Sequence, residues 1–293
     1  MSEFFSLFHS NFVLHNALWG SIVVGFFCPL IGVYFYLRRM VLLGVALPQI
    51  SATGISFVFF LQGLGLTWSL HAGEPNDRMM ALAGSVVFTV AAILILGSLE
   101  RRGEGTTESR VGAVYALAFA CSILFVSSNP TGKIELLSLL HGEIVSVSSN
   151  DLHLLLSSYA VLGILLLLLN RHFLFVSFDR ESAQVMGKNV IVWDILLYLL
   201  IGIFISIGVL VVGPMLTFAF LIIPPLAARR FSPTMGRFFL FSSLLGGISG
   251  LIGFYLSYHQ DWPLSPTAIA VSSAILGLAY LFKKSTLWLA GWK

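Results

Sequence analysis

Gln49, Thr53 and Ser56 stand inside an otherwise apolar run, VLLGVALPQISATGISF. Spacings of four and three residues put all three on one face of a helix. Pro48 has no N–H, so the carbonyl of Gly44 loses its usual helical donor. Gly44, Gln49, Thr53 and Ser56 together make a neutral, oxygen-rich strip. Such a strip suits a weakly held or chelated ion passing along it, or it ties the helix to its neighbours by hydrogen bonds. Charged ligands occur elsewhere. His141 and Glu143 flank Gly142, and His71, Glu74 and Asp77 share the stretch LHAGEPNDR. Imidazole and carboxylate together are divalent-cation chemistry, although loops collect polar residues by default. Asp194 lies just inside another apolar run, where an acid is a functional candidate; Lys188 nearby offers it an ion pair or an interfacial setting. Cys28 and Cys121 both fall within apolar runs and read as small core residues.

These residues must be positioned by membrane-spanning elements. Of 293 residues, 57% are hydrophobic and 10% charged, against about 25% charged in soluble domains. Apolar segments of roughly 17–25 residues are candidate spans. They fall near 12–37, 42–66, 79–99, 111–127, 152–170, 191–210, 213–228, 236–257 and 267–282. Backbone groups in lipid must bond internally, so the spans are expected to be helices. The reading is an all-α polytopic membrane protein of about eight to nine helices, a single transmembrane domain over 1–293. No Lys or Arg precedes Arg38, so the start lacks the basic region of a signal peptide and the first span is expected to be retained.

Basic residues set the orientation. Of the 16 Lys and Arg, only Arg78 and Lys133 fall at one end of the alternating spans. The other end holds Arg38 and Arg39, Arg101, Arg102 and Arg110, Arg171, Arg180 and Lys188, Arg229, Arg230 and Arg237, and the terminal lysines. The basic end is expected to be cytoplasmic, with the N-terminus outside and the C-terminus inside. Histidine runs the other way: of seven, only His172 falls at the basic end.

Two segments carry geometric signals. VVGPMLTFAFLIIPPLAARR has Gly213-Pro214 and Pro224-Pro225 in a stretch too short for a comfortable span. It reads either as a re-entrant or broken helix lining a cavity or as a proline-kinked packing helix. In FFLFSSLLGGISGLIGFYLSYH, Gly246/Gly250, Ser243/Gly247 and Ser249/Gly253 are four apart. Small residues at that spacing allow close helix contact, in the bundle or at a dimer seam.

Five stretches in this order, LRRMVLLGVAL, ESRVGAVYALAFACSILFVSS, SLLHGEIVSVSSNDL, FDRESAQVMGKN and VGPMLTFAFLIIPPLAARR, resemble the membrane permease subunit of ABC importers for zinc, manganese or iron. The resemblance covers nearly the whole chain. It implies a type II-like importer fold in the cytoplasmic (inner) membrane, a homodimer or pair of related chains, two cytoplasmic ATPase subunits, and an extracytoplasmic solute-binding protein. It implies no catalysis and no cofactor on this chain. The sequence has no GxxxxGK[ST] loop to cradle phosphates, so ATP and Mg belong on a separate ATPase chain. Nothing suggests nucleic acid. The cytoplasmic contacts to that ATPase are expected at residues 229–237, with Arg229, Arg230, Ser232, Pro233 and Arg237 on a short polar helix started by Ser232-Pro233. Phe178, Asp179, Glu181 and Gly187 are expected as supporting contacts.

One departure matters. In this family the second helix usually opens with Asp-Ala-Leu-Ser-His, an acid and an imidazole on one face. Here Val45 stands for the Asp, Pro48 for the Ser and Gln49 for the His. The usual ligand pair is therefore not carried over. The leading expectation is the permease of an ATP-driven divalent-metal importer. The alternatives are a metal chelate or other small solute on the same fold, or a secondary transporter driven by an ion gradient.

Overall fold

The computed structural model describes residues 14–65, 75–100, 107–128, 148–178 and 180–289. The helices are α1 His15–Leu37, α2 Val41–Gly63, α3 Pro75–Glu100, α4 Thr107–Ser127, α5 Ser149–Phe178, α6 Arg180–Val185, α7 Val190–Val212, α8 Pro214–Ala228, α9 Met235–Gln260 and α10 Leu264–Leu289. Eight of them are long and apolar enough to cross a membrane, and α8 is a shorter apolar helix. Each of the nine expected spans coincides with one of these helices. Buried side chains from all nine join one apolar core.

The helix that starts at Gly213 never reaches the far side. At about 1.5 Å per residue, the 15 residues of α8 cover about 22 Å, less than a hydrocarbon core of about 30 Å. Tyr159, ten residues inside α5, packs on Gly208 of α7 and donates to the Phe204 carbonyl at 3.1 Å. The turn that follows, at buried Gly213 and Pro214, thus sits within the bundle. Gly213 has φ +84°, a conformation glycine adopts without a Cβ penalty, and Pro214 takes the first helical position where its missing N–H costs nothing.

The small residues of α9 close an internal seam. Gly246 and Gly250 face Gly25 and Ser21 of α1, while Gly253 faces Ala268 of α10. Ser243 donates to the Phe26 carbonyl at 2.6 Å. The spacing motif therefore serves the bundle. Leu240, Leu244, Ile248 and Ile252 form the opposite, exposed stripe, apolar as a lipid-facing surface requires.

The segment 229–237 departs from expectation. It is no separate polar helix: α8 ends at Ala228, residues 229–234 form a turn, and α9 begins at Met235. Ser232 donates back to the Ala228 carbonyl at 2.7 Å, and Arg229 donates to the Ser232 carbonyl at 3.2 Å. These local bonds satisfy the end of α8 and close the turn instead of starting a helix. The short helix at this end of the bundle is α6.

Candidate permeation face and coupling surface

From Leu43 to Ser56, α2 is buried at every position but Val45 and Gln49. Leu42 is exposed, so Leu42, Val45 and Gln49, spaced by three and four, form a strip open to the outside of the bundle. Thr53 and Ser56 lie on the continuation of this helix but are buried. Thr53 Oγ1 lies 2.9 and 2.8 Å from the carbonyl oxygens of Gln49 and Ala118, and its single proton is shared between them. Ser56 donates to the Ala52 carbonyl. Gln49 Nε2 donates to Ser122 Oγ at 3.1 Å. Gln49 and Thr53 therefore tie α2 to α4, and Gln49 does so while remaining half-exposed. Gly44 is buried, with Ile222 of α8 and Phe35 of α1 beside it.

A small apolar crevice adjoins this strip. Its walls are Gly32, Phe35 and Tyr36 of α1, Val41 of α2, and Leu221, Ile222, Pro225 and Leu226 of α8. Val41, Val45 and Gln49 recur every four residues, so Val41 sets the crevice at the end of the open face of α2.

Asp194 has a different partner from the one its sequence neighbourhood suggests. It pairs with Arg38 Nη1 at 2.8 Å, the two side chains being 6% and 10% exposed. Arg38 Nε donates to Ser177 Oγ of α5 at 3.0 Å, and its guanidinium lies 5.3 Å from the centre of the Tyr198 ring. Lys188 instead lies 2.9 Å from His172 Nδ1, which stacks on Trp193. An ammonium only donates, so Nδ1 is the acceptor in this contact.

The same end of the bundle presents an apolar surface. Val185 is 88% exposed and Met186 72% exposed, with Phe178 and Phe231 also exposed. Glu181 and Gly187 are exposed beside them, and Gly187 has φ +76°. Ala183 is buried against Val176 and Val190, which anchors α6 to α5 and α7. Pro233 and Arg237 are exposed at the neighbouring turn. Arg230 lies over the Tyr280 ring, 3.8 Å from its centre. Asp179 lies outside the described residues.

Of the cation candidates, His71, Glu74, His141 and Glu143 also lie outside the described residues, and Asp77 is in the first turn of α3. Among the described residues no three His, Cys, Asp or Glu converge as a metal-binding group. At the end opposite the basic clusters, Arg78 of α3 pairs with Asp151 of α5. Sequence reading missed this pair, the Arg38–Asp194 pair and Ser122, because each joins residues far apart in the chain.

The sequence profile of the ABC 3 transport family matches residues 10–283. The chain belongs to this family. The manganese transport system membrane protein MntC of Halalkalibacterium halodurans is 26% identical, over 96% of this chain and 91% of that protein. The zinc transport system membrane protein TroC of Treponema pallidum is 27% identical, over 92% of this chain and 88% of that one. Among solved structures, PsaBC from Streptococcus pneumoniae in complex with Fab superposes with a TM-score of 0.83, at 22% identity and covering 99% of both chains. A putative metal-chelate type ABC transporter in an inward-facing conformation gives 0.69 at 16% identity, over 91% and 85%. These two establish the likeness of fold. The ABC 3 chain described here is thus a multi-pass protein of the cytoplasmic membrane.

Proposed function

We propose that this chain is the permease subunit of an ATP-driven importer that moves a divalent metal ion, manganese, zinc or iron, into the cell. The observation that carries the reading is family membership along nearly the whole chain, joined to relatives described as manganese and zinc transport permeases. The chain offers no phosphate-cradling loop, so the nucleotide and its magnesium reside on a separate ATPase. The basic end of the bundle faces the cytoplasm. There the exposed apolar side chains of Phe178, Val185, Met186 and Phe231 form the ATPase contact, with α6 as its principal helix and the 229–234 turn beside it. An extracytoplasmic binding protein delivers the cargo at the other end. The strip Leu42, Val45 and Gln49 lines the pathway against a second permease copy.

In the transport step, motion of the docked ATPase is passed from α6 to α5 and α7. Arg38, held by Asp194 and Ser177, carries it to the α1–α2 turn and so to α2. Ion-gradient coupling is disfavoured because the acid inside α7 is committed to this ion pair. A chelated metal is the alternative cargo on the same fold, suggested by one feature: Val45 and Gln49 supply no charge to the open face of α2.

The test is reconstitution of the chain with its ATPase and measurement of ATP-dependent uptake of manganese, zinc and iron into proteoliposomes. Uptake of none of them, with no ATPase association, would remove the reading.

A further inference from the structure

The polarity of the open face of α2 follows from one hydroxyl proton. Ser122 Oγ donates to the Phe119 carbonyl at 2.8 Å. A serine hydroxyl has one proton, so toward Gln49 the same oxygen can only accept. The Gln49 amide must therefore turn its NH2 to Ser122, at 3.1 Å, and its Oε1 away. An amide is oriented by the network around it; with the Ser122 proton on the Phe119 carbonyl, the orientation with NH2 toward Ser122 is the one that forms a bond between the two side chains. Among the described residues Oε1 takes no hydrogen bond, and it is not one of the buried polar atoms left without one. It is thus open on the outward face of the bundle, beside Val45. Ser122 is itself buried, so solvent does not compete for its bond to the amide.

We infer that Ser122 is a positioning residue that fixes Gln49 as an acceptor facing the pathway, so that the cargo meets this chain through a cation or a hydrogen-bond donor. This rests on the pathway reading of Gln49 above. The shared chemistry is that of an ion with bound water or a donor-bearing chelate; an anionic complex meets the wrong end of the amide.

The experiment uses the permease reconstituted with its ATPase in proteoliposomes, with manganese chloride as the probe and KM and kcat for uptake as readouts. Ser122→Ala is expected to raise KM about tenfold with kcat within about twofold, the scale of one lost buried hydrogen bond. Ser122→Thr keeps the hydroxyl and is expected to restore KM. Gln49→Glu replaces the accepting amide oxygen with an anionic one and is expected to lower KM for manganese; it keeps the proposal testable where Ser122→Ala fails to fold. A KM unchanged in Ser122→Ala but raised in Gln49→Ala would overturn the positioning role and leave the pathway reading standing. Wild-type KM and kcat in Gln49→Ala would overturn the pathway reading itself, and the inference with it. Uptake of the manganese–citrate complex in preference to manganese chloride would overturn the acceptor polarity.

Discussion

A guanidinium and a carboxylate buried together in a lipid-embedded bundle are stable only while both are present. Arg38 and Asp194 are that pair, and the arginine also bonds Ser177 and lies near the Tyr198 ring. Removing one partner leaves an uncompensated buried charge, which costs about 3–5 kcal/mol. Asp194→Ala is therefore expected to lower the thermal unfolding midpoint of the detergent-solubilised protein markedly. The double replacement Arg38→Met/Asp194→Leu is expected to recover most of the loss. At Gln49 and Thr53 the energies are smaller. Thr53→Val removes a bond to the Ala118 carbonyl of α4 and should cost about 1 kcal/mol, read in the same melting experiment. The polar residues of α2 were legible in the sequence as a strip on one face. Their partners were not. Ser122 is 73 residues from Gln49, and Asp194 is far closer in sequence to Lys188 than to Arg38. Local spacing tells which residues share a helix face; the choice of partner depends on how separate helices are aligned.

At the level of helices, proline and glycine work in pairs across the bundle. Pro29 has no N–H to donate to the Gly25 carbonyl, four residues back, and Gly246 of α9 packs on that oxygen: a Cβ there would lie 2.0 Å from it. Pro225 likewise frees the Leu221 carbonyl, and a Cβ on Gly32 of α1 would lie 1.8 Å from that atom. Backbone cannot yield as a flexible side chain can. Gly32→Ala and Gly246→Ala are each expected to destabilise by about 1–3 kcal/mol or more, visible as reduced yield and a lower melting temperature. Gly236→Ala, with open space around it, should be close to neutral. The spans were legible because hydropathy over 20 residues reports burial in lipid whatever the tertiary packing. The short α8 was legible too, from Gly213-Pro214 and its length. The 229–237 segment was not: Ser232-Pro233 resembles a helix start, but Ser232 is used to cap the end of the preceding helix.

For the whole molecule, the ends of the bundle differ in kind. One end carries the basic clusters and an exposed apolar surface. The other joins α3 to α5 through the exposed Arg78–Asp151 pair. An apolar side chain as exposed as Val185 on the polar end of a membrane protein is best explained by a partner that covers it. Val185→Asp and Met186→Asp are expected to weaken co-purification of the ATPase by at least tenfold, in keeping with the cost of losing an interface anchor, while leaving the melting temperature of the permease alone unchanged. An undiminished ATPase yield would move the docking site off α6. Both partners were expected from the resemblance alone; what the residues themselves show is that this sequence carries no GxxxxGK[ST] loop, so ATP drive, as proposed, needs a separate ATPase chain.

Under the proposed function, this bundle moves a divalent metal at the expense of ATP hydrolysed elsewhere. The most direct measurement is uptake of manganese-54 and zinc-65 by proteoliposomes holding the permease and its ATPase, with the binding protein on the side opposite the ATPase. Uptake is expected to require ATP on the ATPase side, to stop when ATP is replaced by a non-hydrolysable analogue, and to be unaffected by collapsing proton and sodium gradients. Uptake that persists without ATP and disappears with those gradients would contradict the proposed function.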